Sequence, residues 1–322
     1  MKYTNKTGIS RVTAAALSTD EYDPGKGDYT PSSLNRPPYM ARLTRNHEDE
    51  IEVDVSDLGK MFGGNATHAM LEAAGRKPEF KDTMIVEERF YAKCGEFVVG
   101  PKLDIYEKDT FVLRDYKNTT VFKLTTDEHW AMPDWPDVER QLNIEAWTLR
   151  ANGFKVEKLV VEAFLTDWHE SRVATDAHYP KKQIVTRQFP LWSDDKCFTH
   201  ISDRIRLHEE GRVRPLENIP ECTPEETWEK PTVYALMKEG RKSAVKLNAD
   251  RERLRDYAVV KGFAELQADD PTSSDFRFKK GYSIVKRIGS RPRCEKYCNV
   301  SKFCPAWKKF KAAREAEKAE VK

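Results

Sequence analysis

The sequence predicts an α/β fold with a mixed central sheet flanked by helices, and three observations carry that expectation. A helical pattern over 51–77 precedes three short strand-like segments at roughly 84–93, 97–106 and 110–117. A second helical run at 137–152 leads into another strand-like run at 155–165. Helix, strands, helix and strand in that order build a sheet covered by helices. The composition can fill such a core: 39% of the residues are hydrophobic and 34% charged. At 322 residues there is room for one elaborated domain or two ordinary ones, at ~150 residues each.

Residues 1–50 are rich in Gly, Pro, Ser and charge and are expected to form an irregular arm. In 51–77 the run VSDLGKMF is separated from NATHAMLEAAG by Gly63–Gly64, which should break the helix, and Gly75 suits its C-cap. Ile85, Val86, Phe90, Phe97, Val98, Val99, Ile105, Phe111 and Val112 supply the strand propensity. Lys108–Asp109 is the polar break of a hairpin. Leu142, Ile144, Ala146, Trp147 and Leu149 recur with broadly helical period up to Gly153. Further on, 182–190 has strand character, 194–211 and 250–266 helical character, and the tail from Ala306 is an Ala/Glu/Lys helix. A core at 51–170 followed by a helical C-terminal portion at 171–322, packed back on that core, is the resulting domain expectation.

The formal net charge is only +2, so any basic binding surface must be local. The start, MKYTNKTGIS, has no apolar run of a secretory signal. No stretch approaches the ~20 apolar residues that span a bilayer. A soluble cytoplasmic protein with no membrane partner is therefore expected. In a reducing compartment its six cysteines point to metal ligation, at least where they cluster.

The stretch VVGPKLDIYEKDTFVLRDYKNTT carries the chemistry. Asp104 sits near the end of one expected strand and Asp115 near the end of the next, so a hairpin can make the two carboxylates converge. Lys117, two residues after Asp115, faces the same way on a strand. Two carboxylates and an ammonium suit phosphodiester hydrolysis: the acids hold hard divalent cations, and the lysine offsets charge on the attacked phosphate.

With Gly64 and His68 before the sheet, Gly100 and Asp104, then Asp115-Tyr116-Lys117, and Gln141 on the following helix, residues 60–155 resemble the RecB-like branch of the PD-(D/E)XK nuclease superfamily. That branch includes recombination exonucleases, CRISPR-associated adaptation nucleases and phage exonucleases. Its ordered signature is G-x-x-x-H, G-x-x-D, D/E-x-K and Q-x-x-x-Y. Here one extra residue separates Gly100 from Asp104, and Glu145 stands where the family has tyrosine.

The resemblance implies a restriction-endonuclease-like core. His68, Asp104, Asp115 and the Tyr116 carbonyl would hold Mg²⁺ or Mn²⁺, the imidazole favouring the latter. Lys117 would be the catalytic lysine and Gln141 a positioning group. It also implies metal-dependent DNA cleavage, with exonuclease action favoured over a non-catalytic DNA- or partner-binding module. A phage origin, acting in the host cytoplasm, fits small members of this branch. Glu145, one turn after Gln141, either adds a carboxylate to the site or serves the surface.

Cys294, Cys298 and Cys304 are spaced C-x3-C-x5-C, and Cys222 is the best fourth ligand. Spacing alone leaves zinc and iron–sulfur open. The resemblance favours a structural [4Fe–4S] cluster, because relatives carry a C-terminal cysteine triplet completed by a distant fourth. Cys94 and Cys197 are expected to be core thiols. Aromatic residues flanked by bases, as in 89–93 and 278–282, suit single-stranded DNA or DNA with single-stranded ends, but for any one stretch plain packing with snorkelling lysines is the better reading. The basic tail is either a solvated helix or a DNA clamp. No G-x-x-x-x-G-K-[ST] loop is present, so ATP dependence would need a recombination or replication partner.

Overall fold

The computed structural model describes residues 2–18, 25–124, 135–266 and 276–320. The chain divides into two units, Met1–Arg42 with Glu48–Ile219, and Leu43–His47 with Pro220–Lys322. The first unit thus continues to Ile219 instead of ending near 170.

Five strands form the sheet of the first unit: β1 (Met84–Arg89), β2 (Lys102–Glu107), β3 (Val112–Thr119), β4 (Lys158–Leu165) and β5 (Ile184–Phe189). They lie in chain order. The β3–β4 pair is parallel and the other three are antiparallel, so the sheet is mixed. The expected strand segments 84–93 and 97–106 each split. Ala92–Cys94 and Phe97–Val99 leave the sheet to pair as a separate hairpin.

Three helices set the layers: α1 (Gly59–Gly75), α2 (Pro136–Ala151) and α3 (Asp194–Val213). Pro136 at the first turn of α2 supplies a preset φ, and Asp137 and Glu139 complement the helix dipole. The helix ends where Gly153 adopts φ +87, a conformation few side chains tolerate. Leu142 and Leu149, both 0% exposed, join Leu103, Leu113, Leu159 and Val161 of the sheet in one apolar cluster. Truncating either leucine to alanine should cost about 2–5 kcal/mol. The other flank of α2 presents Ile144 and Trp147 to Cys197, Ile201 and Ile205 of α3 and to the small hairpin. Both flanks of α2 are thus covered by packed side chains.

The parallel β3–β4 register needs a crossover, and α2 provides it. Buried Asn143 ties this helix down. Its Nδ2 donates to the Glu139 and Pro190 carbonyls, and its Oδ1 accepts from Trp192 N at 2.7 Å.

Helix α1 runs unbroken through Gly63–Gly64, contrary to the sequence expectation. The glycines lower helix propensity, but Asn118 of β3 clamps this turn, donating to the Gly63 carbonyl and to Thr67 Oγ1, both at 2.9 Å. Gly75 lies inside the last turn; a Cβ there would come within 2.8 Å of Val86, so its role is close approach of α1 to β1.

The described residues of the N-terminal segment form regular elements and not an irregular arm. Lys2–Thr4 pairs with Glu52–Asp54, Arg11–Ser18 is helical, and Thr30 and Ser33 form a capping box on the helix Pro31–Asn35. Tyr29 and Leu34 are buried in the cluster with α3. Composition hid this because the turns outnumber the few apolar anchors. Residues 19–24 of that stretch lie outside the described residues.

The second unit is not mainly helical, as the sequence suggested. It contains an antiparallel sheet of β6 (Val233–Lys238), β7 (Lys246–Asn248) and β8 (Tyr282–Arg287), in the order β7-β6-β8. Helix α4 (Arg251–Val260) buries Leu254 and Ala258 against Leu236. The helix expected over 250–266 stops at Val260, and Ala264–Leu266 is instead a strand paired with Phe276–Phe278. Helix α5 (Pro305–Glu320) forms most of the expected tail helix. Among the described residues no helix is long and apolar enough to cross a membrane.

Candidate active site

Strand pairing explains how the site opens. The β2–β3 ladder runs from Glu107–Val112 to Ile105–Arg114 and then stops, one step short of Asp104–Asp115. The β1–β2 ladder skips the step between Val86–Ile105 and Glu88–Leu103, which by count is Glu87–Asp104. Glu87, Asp104 and Asp115 therefore form one row across three strands, at the level where both ladders are interrupted. Glu87 holds φ +49, a strained value for a non-glycine strand residue.

In that gap Asp104 replaces the missing ladder partner: its Oδ2 accepts from Tyr116 N at 2.8 Å. Backbone N–H and C=O of one strand residue project to the same side, so the Tyr116 carbonyl is directed into the same gap. Asp104 Oδ1 lies 3.5 Å from His68 Nδ1, and Glu87 Oε1 lies 3.1 Å from that nitrogen. Ligand atoms of His68, Glu87 and Asp104 all fall within 4.8 Å of one another. Glu87 also pairs with Lys102 at 2.6 Å.

Asp115 and Lys117 turn towards α2. Asp115 is 2% exposed. Its Oδ1 accepts from Lys117 Nζ at 2.7 Å and from Gln141 Nε2 at 2.9 Å. Its Oδ2 is buried without a hydrogen-bond partner among the described residues. Gln141 Nε2 also donates to Glu145 Oε1 at 2.9 Å, while Gln141 Oε1 lies 3.5 Å from Lys117 Nζ. Asp104 meets His68 of α1, and Asp115 meets Gln141 of α2. The opened strand gap is what lets them influence one another.

The electrostatics follow from this crowding. Burial, then the charge of Asp115, pushes Asp104 up to about 7. Burial, then Asp115 and Asp104, holds Glu145 well above the usual carboxylate range. Burial also acts to raise Glu87, but hydrogen bonds from His68 and Lys102 outweigh it and leave the group below its ordinary value. The bond to Glu87 raises His68 against the opposing effect of burial. Burial works against the Lys117 ammonium, yet the charge of Asp115 prevails and keeps it above its usual range.

Glu87 is the residue sequence reasoning missed. It falls outside the expected motifs, and its place beside Asp104 emerges only once strand register is known. His68, Asp104, Asp115, Tyr116, Lys117 and Gln141 are brought together in the first unit; Glu145 lies at the inner end of the same hydrogen-bond chain.

The cysteines separate as their burial suggests. Cys94 and Cys197, 3% and 1% exposed, belong to the core beside α2. Cys222, Cys294, Cys298 and Cys304 lie in the second unit, half-buried. Burial, then Glu226, pushes the Cys222 thiol up to about 12, and Cys304, Cys294 and Cys298 add to the rise. Cys294 is raised to about 11 by burial and by Cys298 and Cys304. Charge on Cys304, Cys294 and Cys298 thus bears on Cys222, but among the described residues the four do not form a group within 4.8 Å as His68, Glu87 and Asp104 do.

No family model matches this chain, and no curated protein matches it. Among solved structures it is similar to one described as the crystal structure of SSO0001, with a TM-score of 0.40 and 14% identity. That match covers 58% of this chain and 79% of the other. A likeness at that level carries no argument about fold or function.

Proposed function

We propose that the protein is a metal-dependent deoxyribonuclease with exonuclease action, built on His68, Glu87, Asp104, Asp115, Lys117 and Gln141. The observation that carries this reading is the buried Asp115 carboxylate. One oxygen is held by Lys117 and Gln141, while the other, Oδ2, is orphaned in the interior. A buried carboxylate oxygen without a donor costs about 1–3 kcal/mol or more, and a cation would offset that cost. The donor set fits a divalent ion: carboxylates suit Mg²⁺, and the His68 imidazole extends the range to Mn²⁺. His68, Glu87, Asp104, Asp115 and the Tyr116 carbonyl would hold it. When bound, it supplies Lewis acidity and a water of lowered pKa.

The chain's own residues do the rest. Asp115 keeps the Lys117 ammonium charged and aimed. Lys117 is about one-third exposed, at 32%, so a phosphate oxygen can reach it. Its remaining donor capacity offsets negative charge developing on the attacked phosphate. Gln141 bridges Asp115 and Lys117 and limits their movement. The partner would be DNA, single-stranded or with single-stranded ends, delivered by a recombination or replication protein.

In the second unit, Cys222, Cys294, Cys298 and Cys304 would hold a structural [4Fe–4S] cluster, zinc being the alternative. The effect of Cys304, Cys294 and Cys298 on the Cys222 thiol supports their acting as one set. Deprotonated thiolates are the ligating form, so loading would release protons.

The test is incubation of end-labelled single- and double-stranded DNA with Mg²⁺ or Mn²⁺. The expected result is progressive shortening from an end that stops when the metal is chelated. Binding without cleavage under every condition would instead indicate a non-catalytic DNA-binding module, and would overturn the reading.

A further inference from the structure

Glu145 is 3% exposed and lies in the most deeply packed stretch of α2, between Ile144 and Ala146, both 1% exposed or less. A carboxyl at such a depth needs a hydrogen bond to justify it. Its partner is Gln141, one turn earlier on the same helix. The Gln141 amide has two N–H groups. Its Nε2 meets two acceptors, Asp115 Oδ1 and Glu145 Oε1, each at 2.9 Å. Its carbonyl is left towards Lys117 Nζ.

We propose that Glu145 is the positioning residue of this site: its carboxyl accepts the second N–H of Gln141 and so fixes the amide plane that holds Asp115 and Lys117. This rests on the nuclease reading above. A planar amide anchored at one point can swing about that bond, whereas two anchors set both its direction and its plane. With Glu145 in place, the donor edge of Gln141 stays on Asp115 and the acceptor edge on the lysine. Without it, one N–H of this half-buried amide loses its acceptor, and the amide must move to recover one.

The role does not require a charge. What the bond needs is an acceptor oxygen, which a carboxyl offers whether or not it is ionised. Nor is Glu145 a member of the His68–Glu87–Asp104 group, whose ligand atoms lie within 4.8 Å of one another. An uncharged acceptor of the same shape should therefore replace it, and an apolar residue should not.

The experiment compares Glu145→Gln with Glu145→Met, by cleavage kinetics under saturating Mn²⁺ and by the side-chain amide NMR signals of Gln141 in selectively ¹⁵N-labelled full-length protein. Glu145→Gln should keep kcat within about threefold. Glu145→Met should lower kcat about tenfold, the effect of losing one buried hydrogen bond, with KM within twofold. In Glu145→Met one Gln141 amide proton should also shift and exchange faster. Equal kcat in Glu145→Met and the parent chain, with unchanged Gln141 signals, would overturn the positioning role. So would an equal fall in both variants, which would mark a charged carboxylate. The NMR readout needs no turnover. If the parent chain fails to cleave but the Gln141 signals respond only to Met, the nuclease reading fails and the positioning stands.

Discussion

Replacing Lys117 with methionine tests the central ion pair through stability as well as activity. In the parent chain Asp115 is 2% exposed, and its Oδ1 accepts from Lys117 at 2.7 Å and from Gln141 at 2.9 Å. Removing the ammonium leaves a buried carboxylate with one donor and an already orphaned Oδ2. Breaking a buried pair in this way costs about 3–5 kcal/mol. The Lys117 side chain is 32% exposed, so solvent screens part of the interaction, and we expect about 2–3 kcal/mol. At roughly 2–4 °C per kcal/mol for a domain of this size, the melting temperature should fall by about 4–12 °C. Adding Asp115→Asn removes the stranded charge, and the double variant should regain most of the loss, because deleting both partners is far milder than deleting one. The assay is urea denaturation at pH 7.5 on the parent, both single variants and the double variant, with cleavage measured in parallel. A Lys117→Met protein as stable as the parent, or a double variant no better than the single one, would refute the coupling.

Three further outcomes follow from other parts of the structure. Glu87→Ala should weaken Mn²⁺ binding by at least about tenfold in calorimetry, as expected for a group at or next to a metal; unchanged affinity would reduce Glu87 to a partner of Lys102. His208, 7% exposed and with Nε2 3.4 Å from the Leu34 carbonyl, has its pKa lowered to about 4, chiefly by burial and then by Arg204. Because the folded form resists protonation, the unfolded chain gains protons first as pH falls below ~6.5, and stability should drop by about 2 kcal/mol by pH 5 from this group alone. Denaturation of His208→Gln should show a shallower loss between pH 7 and 5, and an identical slope would contradict it. Purified anaerobically, the chain should be brown with absorbance near ~400 nm, and Cys222→Ser should lose that colour; colourless protein with stoichiometric zinc would replace the cluster by a zinc site.

Much of the first unit was legible in the sequence because its signals are local. Strand propensity at Ile85, Ile105 and Val112, the Lys108–Asp109 break and the apolar run of α2 depend on near neighbours, and the mixed sheet follows from their order. The Asp115–Lys117 pairing was legible for the same reason, since residues two apart on a strand share a face. Glu87 was not legible. It joins His68 and Asp104 only because two ladders are interrupted at one level, and register is a long-range property. Gly63–Gly64 misled because the Asn118 clamp that sustains the helix comes from a strand more than fifty residues away. In the second unit, VYALMK and YSIVKR are short and flanked by charge, and their strand character emerges from pairing with each other. Tyr29 and Leu34 show the converse: two buried anchors order a segment whose composition is dominated by turn formers.

The most direct test of the central claim is the Mn²⁺-dependent cleavage rate of end-labelled DNA by the parent chain beside Lys117→Ala. The account predicts metal-dependent shortening by the parent, and a rate at least about a hundredfold lower in the variant, the scale of losing one electrostatic catalytic group. DNA binding should be retained. Undiminished cleavage by Lys117→Ala would contradict the assignment of this site.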